Sequence, residues 1–188
     1  MTGIGEPGTI PEKESHLRIS ARRVGVCVQQ WDEWFNMKVS TRGEYGVRAM
    51  VALAHHFGQG PVSVAEVAKE SSVPTAYLEQ LIAPLRRAGL VESTRGAKGG
   101  YRLSRSPELV KVGEVYRVME GPVAPMDCVS ENEADQTCPL IDGCETRPVW
   151  LKVRDSIVEA LDSTTLADLI AEREAKRLGQ PAVLTRSA

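Results

Sequence analysis

A chain of 188 residues is long enough for one domain with extensions, and its 42% hydrophobic and 26% charged residues are typical of a globular protein with a buried core. Its longest apolar runs fall short of the roughly 18 residues that a membrane-spanning helix needs, and the run at 24–28 is too short for a secretory signal. We therefore expect a cytoplasmic protein, where clustered cysteines serve metal or redox chemistry more often than disulfide bonds.

The net charge of −2 conceals an uneven distribution of charged residues. The segment from Pro84 to Arg105 has six basic residues against one acid, Glu92. The segment from Asp127 to Glu145 has six acids and neither lysine nor arginine. A basic block of this kind is typical of contact with phosphate groups, although a charged face exposed to solvent gives the same pattern.

Residues 1–36 lack sustained periodicity, and we interpret them either as a disordered extension in front of the folded domain or as the result of a start codon assigned too far upstream. The apolar spacing then predicts a first helix at about 41–57. Thr41 to Glu44 has the form of a capping box at its start. We expect His55 and His56, at its end, to be exposed or half-buried rather than ligands. Five apolar residues are predicted to share its buried face: Val47, Met50, Val51, Ala54 and Phe57.

The next segments complete a recognisable order of elements. A short helix follows at 64–69, and a tight turn leads into a third helix that ends near Ala88. Two strands, at 89–91 and 101–103, enclose a glycine-rich turn. Helix, helix, turn, helix and hairpin in this order predict a winged helix-turn-helix domain at 37–106.

The part of the chain at 107–178 is predicted to contain a short helix, a cysteine-bearing segment and two further helices. Residues 179–188 are predicted to be a flexible tail. The helix at 148–161 is amphipathic, and its apolar stripe suits either a dimer interface, which we favour, or an intramolecular core. The chain is therefore predicted to be mostly α-helical, with a small β-wing and a long dimerisation helix. The stripe consists of Trp150, Val153, Ile157 and Leu161.

The third helix combines a buried stripe with a face suited to DNA. Leu78, Leu81, Ile82 and Leu85 have the 0, 3, 4, 7 spacing of one helical face. On the opposite face Glu79 and Gln80 can bond to base edges, and Arg86 and Arg87 are placed for phosphate. Pro84 removes one hydrogen bond near the helix end and is expected to kink the last turn.

The glycine-rich turn carries Arg95 and Lys98 at the predicted hairpin tip. A nucleotide-binding phosphate loop would need a strand before it, a helix after it and a Gly-Lys-Ser/Thr ending, which this turn lacks. A plain surface hairpin is the other alternative. We interpret the turn as a wing that contacts the minor groove or the DNA backbone.

Three cysteines in the acidic segment, Cys128, Cys138 and Cys144, offer thiolates for a soft metal centre. The spacing contains no Cys-x2-Cys pair, which argues against an ordinary zinc ribbon. Six acids and three thiolates repel one another, so a bound cationic centre is expected to order this loop. The pattern favours an iron–sulfur cluster, with zinc, a labile disulfide switch and unused buried cysteines as alternatives.

The sequence from Met37 to about Asp168 resembles the Rrf family of winged-helix transcriptional regulators, some of which sense iron–sulfur status or nitric oxide. The resemblance covers about 130 residues and rests on KVSTRGEYGVRAM, AYLEQLIAPLRRAGLVESTRGAKGGYRLS, VGEVYRVMEG, the cysteines and the helix around Trp150. Ala76 and Pro84 depart from the commoner family pattern, which leaves the operator sequence open.

The resemblance implies a homodimer on a palindromic operator, with Glu79 and Gln80 in the major groove and Arg95 in the minor groove. It also implies a cluster on the three cysteines. Some relatives place a histidine ligand where this chain has Arg147. Others use an acid of the partner subunit near the start of the first helix, a position that Glu44 occupies here, although Glu44 could instead only cap the helix.

We therefore expect a homodimeric, cytoplasmic regulator of transcription, most simply a repressor, controlled by a [2Fe–2S] or [4Fe–4S] cluster. The main alternative is a regulator that acts through zinc or thiol oxidation without a cluster. A metal-dependent redox enzyme is a weaker alternative, because the sequence contains no nucleophile–base pair, dinucleotide fingerprint or metalloprotease motif.

Overall fold

The computed structural model describes residues 40–96 and 99–180. Within these ranges it contains six α-helices, one hairpin and three short 3-10 turns, which confirms the predicted mostly helical fold with a small β-wing. None of the described helices combines the length and the hydropathy needed to cross a membrane. The helices and strands are α1 (Thr41–His55), α2 (Val64–Ser71), α3 (Thr75–Arg87), β1 (Val91–Thr94), β2 (Gly100–Leu103), α4 (Val112–Glu120), α5 (Arg147–Ser163) and α6 (Leu166–Arg177).

Helix α1 lies at the centre of the core and packs against α2, α3, α4, α6 and β2. Its predicted apolar face is correct for Met50 and Ala54, which are buried, but wrong for Phe57, which is 45% exposed. The helix ends at His55, and the chain turns through Gly58 with a φ of 80°, so Phe57 lies beyond the helical register. Val47 and Val51 are half-buried beside the core.

The predicted capping box at the start of α1 is wrong. The N-cap is Ser40, whose hydroxyl accepts hydrogen bonds from the backbone N–H groups of Arg42 and Gly43. The cap therefore lies one residue earlier than Thr41, and Glu44 falls beyond reach of it. The Glu44 carboxylate instead pairs with Arg48 at 3.5 Å on the exposed surface of the helix.

Helices α2 and α3 form the helix-turn-helix. The hydroxyl of Ser63 caps α2, and Ser72 makes the turn with a left-handed φ of 54°. The predicted apolar stripe of α3 is confirmed, since all four of its residues are at most 2% exposed. Helix α3 continues through Pro84 for one further turn, and the Pro84 carbonyl accepts a hydrogen bond from Ala88 N–H at 3.0 Å.

The hairpin pairs β1 with β2 in antiparallel register, with Val91 opposite Leu103. Val62 extends it on the other side of β2 through two backbone hydrogen bonds of 2.8 Å to Tyr101. A side chain at Gly100 would collide with the Val62 backbone, so this glycine permits the close approach of the two segments. The second glycine of the Gly-Gly pair is thereby explained by packing.

The remaining helices differ in how much of their surface is covered. Helix α4 packs closely on α1, where a side chain at Gly46 would come within 2.6 Å of Met119 Cγ. Helix α6 returns to α1 and buries Leu166 completely. Helix α5 has 17 residues and none of them is buried.

Candidate DNA interface and cysteine site

The face of α3 opposite its buried stripe is exposed to solvent. Ala76, Glu79, Gln80 and Ala83 are exposed, and within the described residues the side chains of Glu79 and Gln80 have no hydrogen-bond partner. A helix with one buried stripe and one free polar face can enter a major groove without disturbing the core.

The basic block divides into free and paired arginines. Arg102 donates two hydrogen bonds to Glu92, the shorter at 2.7 Å, and Arg105 binds the Glu114 carboxylate at 2.6 Å. Arg87 and Arg95 are exposed, and within the described ranges neither has a partner. Charge counting along the sequence could not separate these two groups, because Glu114 lies outside the block.

The structure describes two of the three remaining predicted DNA contacts, Arg86 and Arg95, and they lie in different surroundings. Arg86 is exposed and donates to the Ser93 hydroxyl at 3.3 Å, so it joins the end of α3 to the start of the wing. Arg95 lies at the hairpin tip beside Gly96, which has a φ of 116°. Lys98 was predicted to lie at the same tip but is outside the described residues.

The cysteine segment is built on a 3-10 turn, Asp127–Val129, which buries Cys128 to 6% exposure. Cys138 and Cys144 are partly exposed. Two arginines of α5 hold the turn by its backbone: Arg147 Nε donates to the Cys128 carbonyl at 3.1 Å, and Arg154 Nη1 donates to the Val129 carbonyl at 3.5 Å. The position of the first thiol is therefore tied directly to α5.

The thiols have different acidities. Burial raises the pKa of Cys128, and the neighbouring Cys138 and Cys144 raise it further. The Thr146 hydroxyl, 3.2 Å from the Cys144 sulfur, lowers the pKa of Cys144 by stabilising its thiolate.

Three thiolates in one site form a donor set that fits soft centres such as an iron–sulfur cluster. Thiolates on a single tetrahedral zinc ion lie only about 3.8 Å apart, given a Zn–S distance of about 2.3 Å. In this structure the three sulfur atoms do not all lie within 4.8 Å of one another.

Arg117 of α4 is a central residue that sequence reasoning missed. Its guanidinium binds Glu131, in the cysteine segment, and Asp162, in α5, with a shortest distance of 2.6 Å to each. Glu131 also accepts a hydrogen bond from the Val123 N–H at 2.7 Å. Arg117 lowers the pKa of both carboxyl groups, and so one cation connects α4, the cysteine segment and α5.

Glu44 and the apolar stripe of α5 are both accessible. The Glu44 side chain is 59% exposed, and within the described residues Arg48 is its one partner. Trp150, the first residue of the stripe, is half-buried. The other three predicted stripe residues line an open apolar groove together with neighbours on α5: Lys152, Val153, Ser156, Ile157, Ala160 and Leu161.

A helix-turn-helix with a free recognition face beside a hairpin defines a DNA-binding module of the winged-helix class. Residues 39–172 match the Rrf2 family, described as "Iron-dependent Transcriptional regulator". The chain belongs to the Rrf2 family of DNA-binding transcriptional regulators, which confirms the family resemblance seen in the sequence, and it is a regulator rather than an enzyme.

The chain is similar over most of its length to a transcriptional regulator named CymR. The chain is 43% identical over 133 residues to the transcriptional regulator CymR of Bacillus subtilis strain 168, covering 71% of this chain and 89% of that protein. The solved structure of that protein, described as a global cysteine regulator, has a TM-score of 0.60 at 41% identity and covers 72% of this chain and 98% of its own.

Two further solved structures are similar. T. potens IscR has a TM-score of 0.63 at 46% identity, with 78% of this chain and 95% of that chain covered. Staphylococcus aureus CymR in an oxidized form has a TM-score of 0.53 at 38% identity, with 69% of this chain and 93% of that chain covered.

Proposed function

We propose that this regulator is a cytoplasmic homodimer that represses transcription from a palindromic operator and is controlled by an iron–sulfur cluster. The observation that carries the proposal is the position of Cys128. Its backbone carbonyl is bound by Arg147 of α5, and the charges of Cys138 and Cys144 help to raise the pKa of its thiol. A centre bound by these thiols would therefore act directly on α5.

Cys128, Cys138 and Cys144 would hold the cluster, which supplies a redox-active and chemically labile centre when bound. The acidic segment lacks a cation of its own, but Arg117 and Arg147 supply positive charge from α4 and α5. These contacts limit the repulsion among the acids and fix the segment to the two helices. Any change in the cysteine geometry is expected to be transmitted to α5 through Arg117, Arg147 and Arg154.

Two copies of the open apolar groove on α5 would form the dimer interface, since symmetric dimers bury the same face of both subunits. Each subunit would place Glu79 and Gln80 of α3 in a major groove. Arg86 and Arg87 would contact phosphate, and Arg95 and Lys98 of the wing would reach the minor groove or the backbone. We further propose that residues 37–106 form the DNA-binding domain and that residues 107–178 contain the cluster-binding loop and the dimerisation helices.

The coupling between cluster and operator is reciprocal by thermodynamic linkage and is typically worth about 1–3 kcal/mol. The centre biases the dimer between two arrangements with different affinities for the operator. The partner subunit would supply the fourth ligand through Glu44, whose exposed carboxylate is free of any capping role.

Anaerobic purification of the full chain tests the cluster. We expect a brown protein with iron and acid-labile sulfide, and we expect both to be lost when Cys128, Cys138 and Cys144 are changed to serine together. Cys27→Ser is the matched control and should retain both. A colourless wild-type protein, or a triple variant with unchanged iron, would exclude the proposed site.

A second candidate function is regulation by thiol oxidation or zinc without a cluster. The similarity to CymR, including the structure in an oxidized form, favours it, and the lowered pKa of Cys144 gives a reactive thiolate. In the same purification this function predicts a colourless protein, with either stoichiometric zinc or a disulfide that dithiothreitol reverses and that requires Cys144.

A further inference from the structure

Three metal-ligating side chains meet where α1 ends and α2 runs alongside it. His56 is the C-cap of α1, and its Nε2 lies 2.8 Å from Glu70 Oε1 in the last turn of α2. Glu66 lies one helical turn before Glu70. One ligand atom from each of His56, Glu66 and Glu70 lies within 4.8 Å of the other two. Among the described residues, no other group of three or more His, Cys, Asp or Glu side chains meets this spacing.

The backbone fixes two of these positions. The His56 N–H bonds to the Leu53 carbonyl at 3.2 Å, which closes α1. The Glu66 N–H bonds to the Ser63 hydroxyl at 3.2 Å, which opens α2. Both side chains therefore project from capped helix ends, and Glu70 follows from Glu66 by the pitch of one turn. A ligand set held on two helices in this way needs little reorganisation to bind an ion.

The charges in this group are unbalanced. Glu66 and Glu70 lie on the same side of α2, where like charges four residues apart destabilise a helix. His56 bonds to Glu70, whereas Glu66 has no partner in the described part of the chain. The simplest alternative is a structural hydrogen bond between His56 and Glu70 alone, but that contact leaves the Glu66 carboxylate facing the other two groups without a compensating charge.

We propose that His56, Glu66 and Glu70 form a second metal site, independent of the cysteine segment, for a divalent transition-metal ion. One imidazole nitrogen and two carboxylate oxygens suit zinc, ferrous iron or manganese, and water would complete the coordination. The ion would cross-link the end of α1 to the first helix of the helix-turn-helix. Binding of an ion at this site could therefore change the DNA-binding domain without involving the cysteine segment.

Zinc titration of the full chain by isothermal calorimetry tests this site. All four cysteines are first changed to serine, so the result is independent of the cluster proposal. We expect one zinc ion to bind at pH 7.5. Absence of binding to this protein would overturn the proposal.

Glu66→Gln in the same background is the decisive variant. The Glu66 side chain makes no hydrogen bond or ion pair among the described residues, so a purely structural role predicts no effect of this change. Loss of a direct ligand should weaken zinc binding by more than about 100-fold, which exceeds the usual effect of removing a group that only supports a ligand. Glu108→Gln, an exposed carboxylate on the turn before α4, is the matched control and should bind zinc as the parent does. Equal binding by the Glu66→Gln variant and its parent would overturn the site.

Discussion

The arginines around the wing differ in their electrostatic surroundings, and the difference decides which of them are available to DNA. Arg95 is exposed and has no partner among residues 40–96 and 99–180, while Arg102, on the same hairpin, is neutralised by Glu92 at 2.7 Å. A paired guanidinium must give up its carboxylate before it can bind phosphate. Free and paired arginines should therefore contribute unequally to operator affinity.

Arg95→Ala is expected to weaken operator binding by about tenfold, or roughly 1.4 kcal/mol, and to reduce the dependence on salt by about one phosphate contact. Fluorescence anisotropy with labelled operator DNA at several salt concentrations measures both. Arg102→Ala is the control on the same hairpin and should change affinity by less than about threefold. Iron content should be unchanged in both variants, and equal losses of affinity would remove the wing assignment.

Local patterns in the sequence predicted elements whose determinants lie close together along the chain. The four leucine and isoleucine positions of α3 were predicted from spacing alone, and all four are buried. The start of α1 at Thr41 was predicted correctly, but its N-cap was misassigned because Ser40 and Thr41 are both good caps and only backbone geometry distinguishes them. Phe57 was misplaced because a regular period does not reveal the residue at which a helix ends.

Contacts between distant elements could not be predicted from the sequence for a different reason. Arg117 pairs with Glu131, 14 residues away, and with Asp162, 45 residues away. Charge pairing over such separations leaves no periodic signal, and the acids of the cysteine segment therefore looked unpaired. The His56, Glu66 and Glu70 group was hidden likewise, because His56 lies on a different helix from the two carboxylates.

At the scale of elements, the Arg117 network should contribute to stability. Arg117→Met keeps the length of the side chain but leaves two partly buried carboxylates without their cation, which should lower the free energy of unfolding by about 2 kcal/mol at pH 7. Urea denaturation followed by circular dichroism measures the change. Arg102→Met is the control, because its ion pair with Glu92 is about half exposed and should be worth less than about 1 kcal/mol.

The network also predicts the direction of the pH dependence. Arg117 lowers the pKa of Glu131 and Asp162 in the folded state, so their contribution is fully present above their unfolded values near pH 4 and is lost as pH falls through the lowered folded values. Wild-type stability should therefore fall more steeply below about pH 4 than that of Arg117→Met. Parallel pH profiles would show that the ion pairs contribute nothing to folding.

For the whole molecule, the open groove on α5 should determine the oligomeric state. Ile157→Glu would place a charge in an apolar interface, and it should weaken dimerisation by more than about 100-fold, or roughly 3 kcal/mol. Sedimentation velocity over a range of concentrations measures the change, and operator affinity should fall with it. Glu159→Lys alters charge at an exposed position of the same helix outside the groove and should leave the dimer intact. A dimer retained by Ile157→Glu would place the interface elsewhere.

The proposed role of Glu44 as a cluster ligand can be separated from its effect on the stability of α1. Glu44→Ala removes both the proposed ligand and the ion pair with Arg48, whereas Arg48→Ala removes the same ion pair and keeps the carboxylate. The pair is exposed and should be worth no more than about 0.5 kcal/mol, so both variants should unfold at nearly the same temperature. Loss of a ligand changes the electronic surroundings of the iron, and so only Glu44→Ala should alter the visible absorption and circular dichroism spectra of anaerobically prepared protein. Identical spectra for the two variants would mean that the fourth ligand is another group, and that Glu44 acts only as a surface charge on α1.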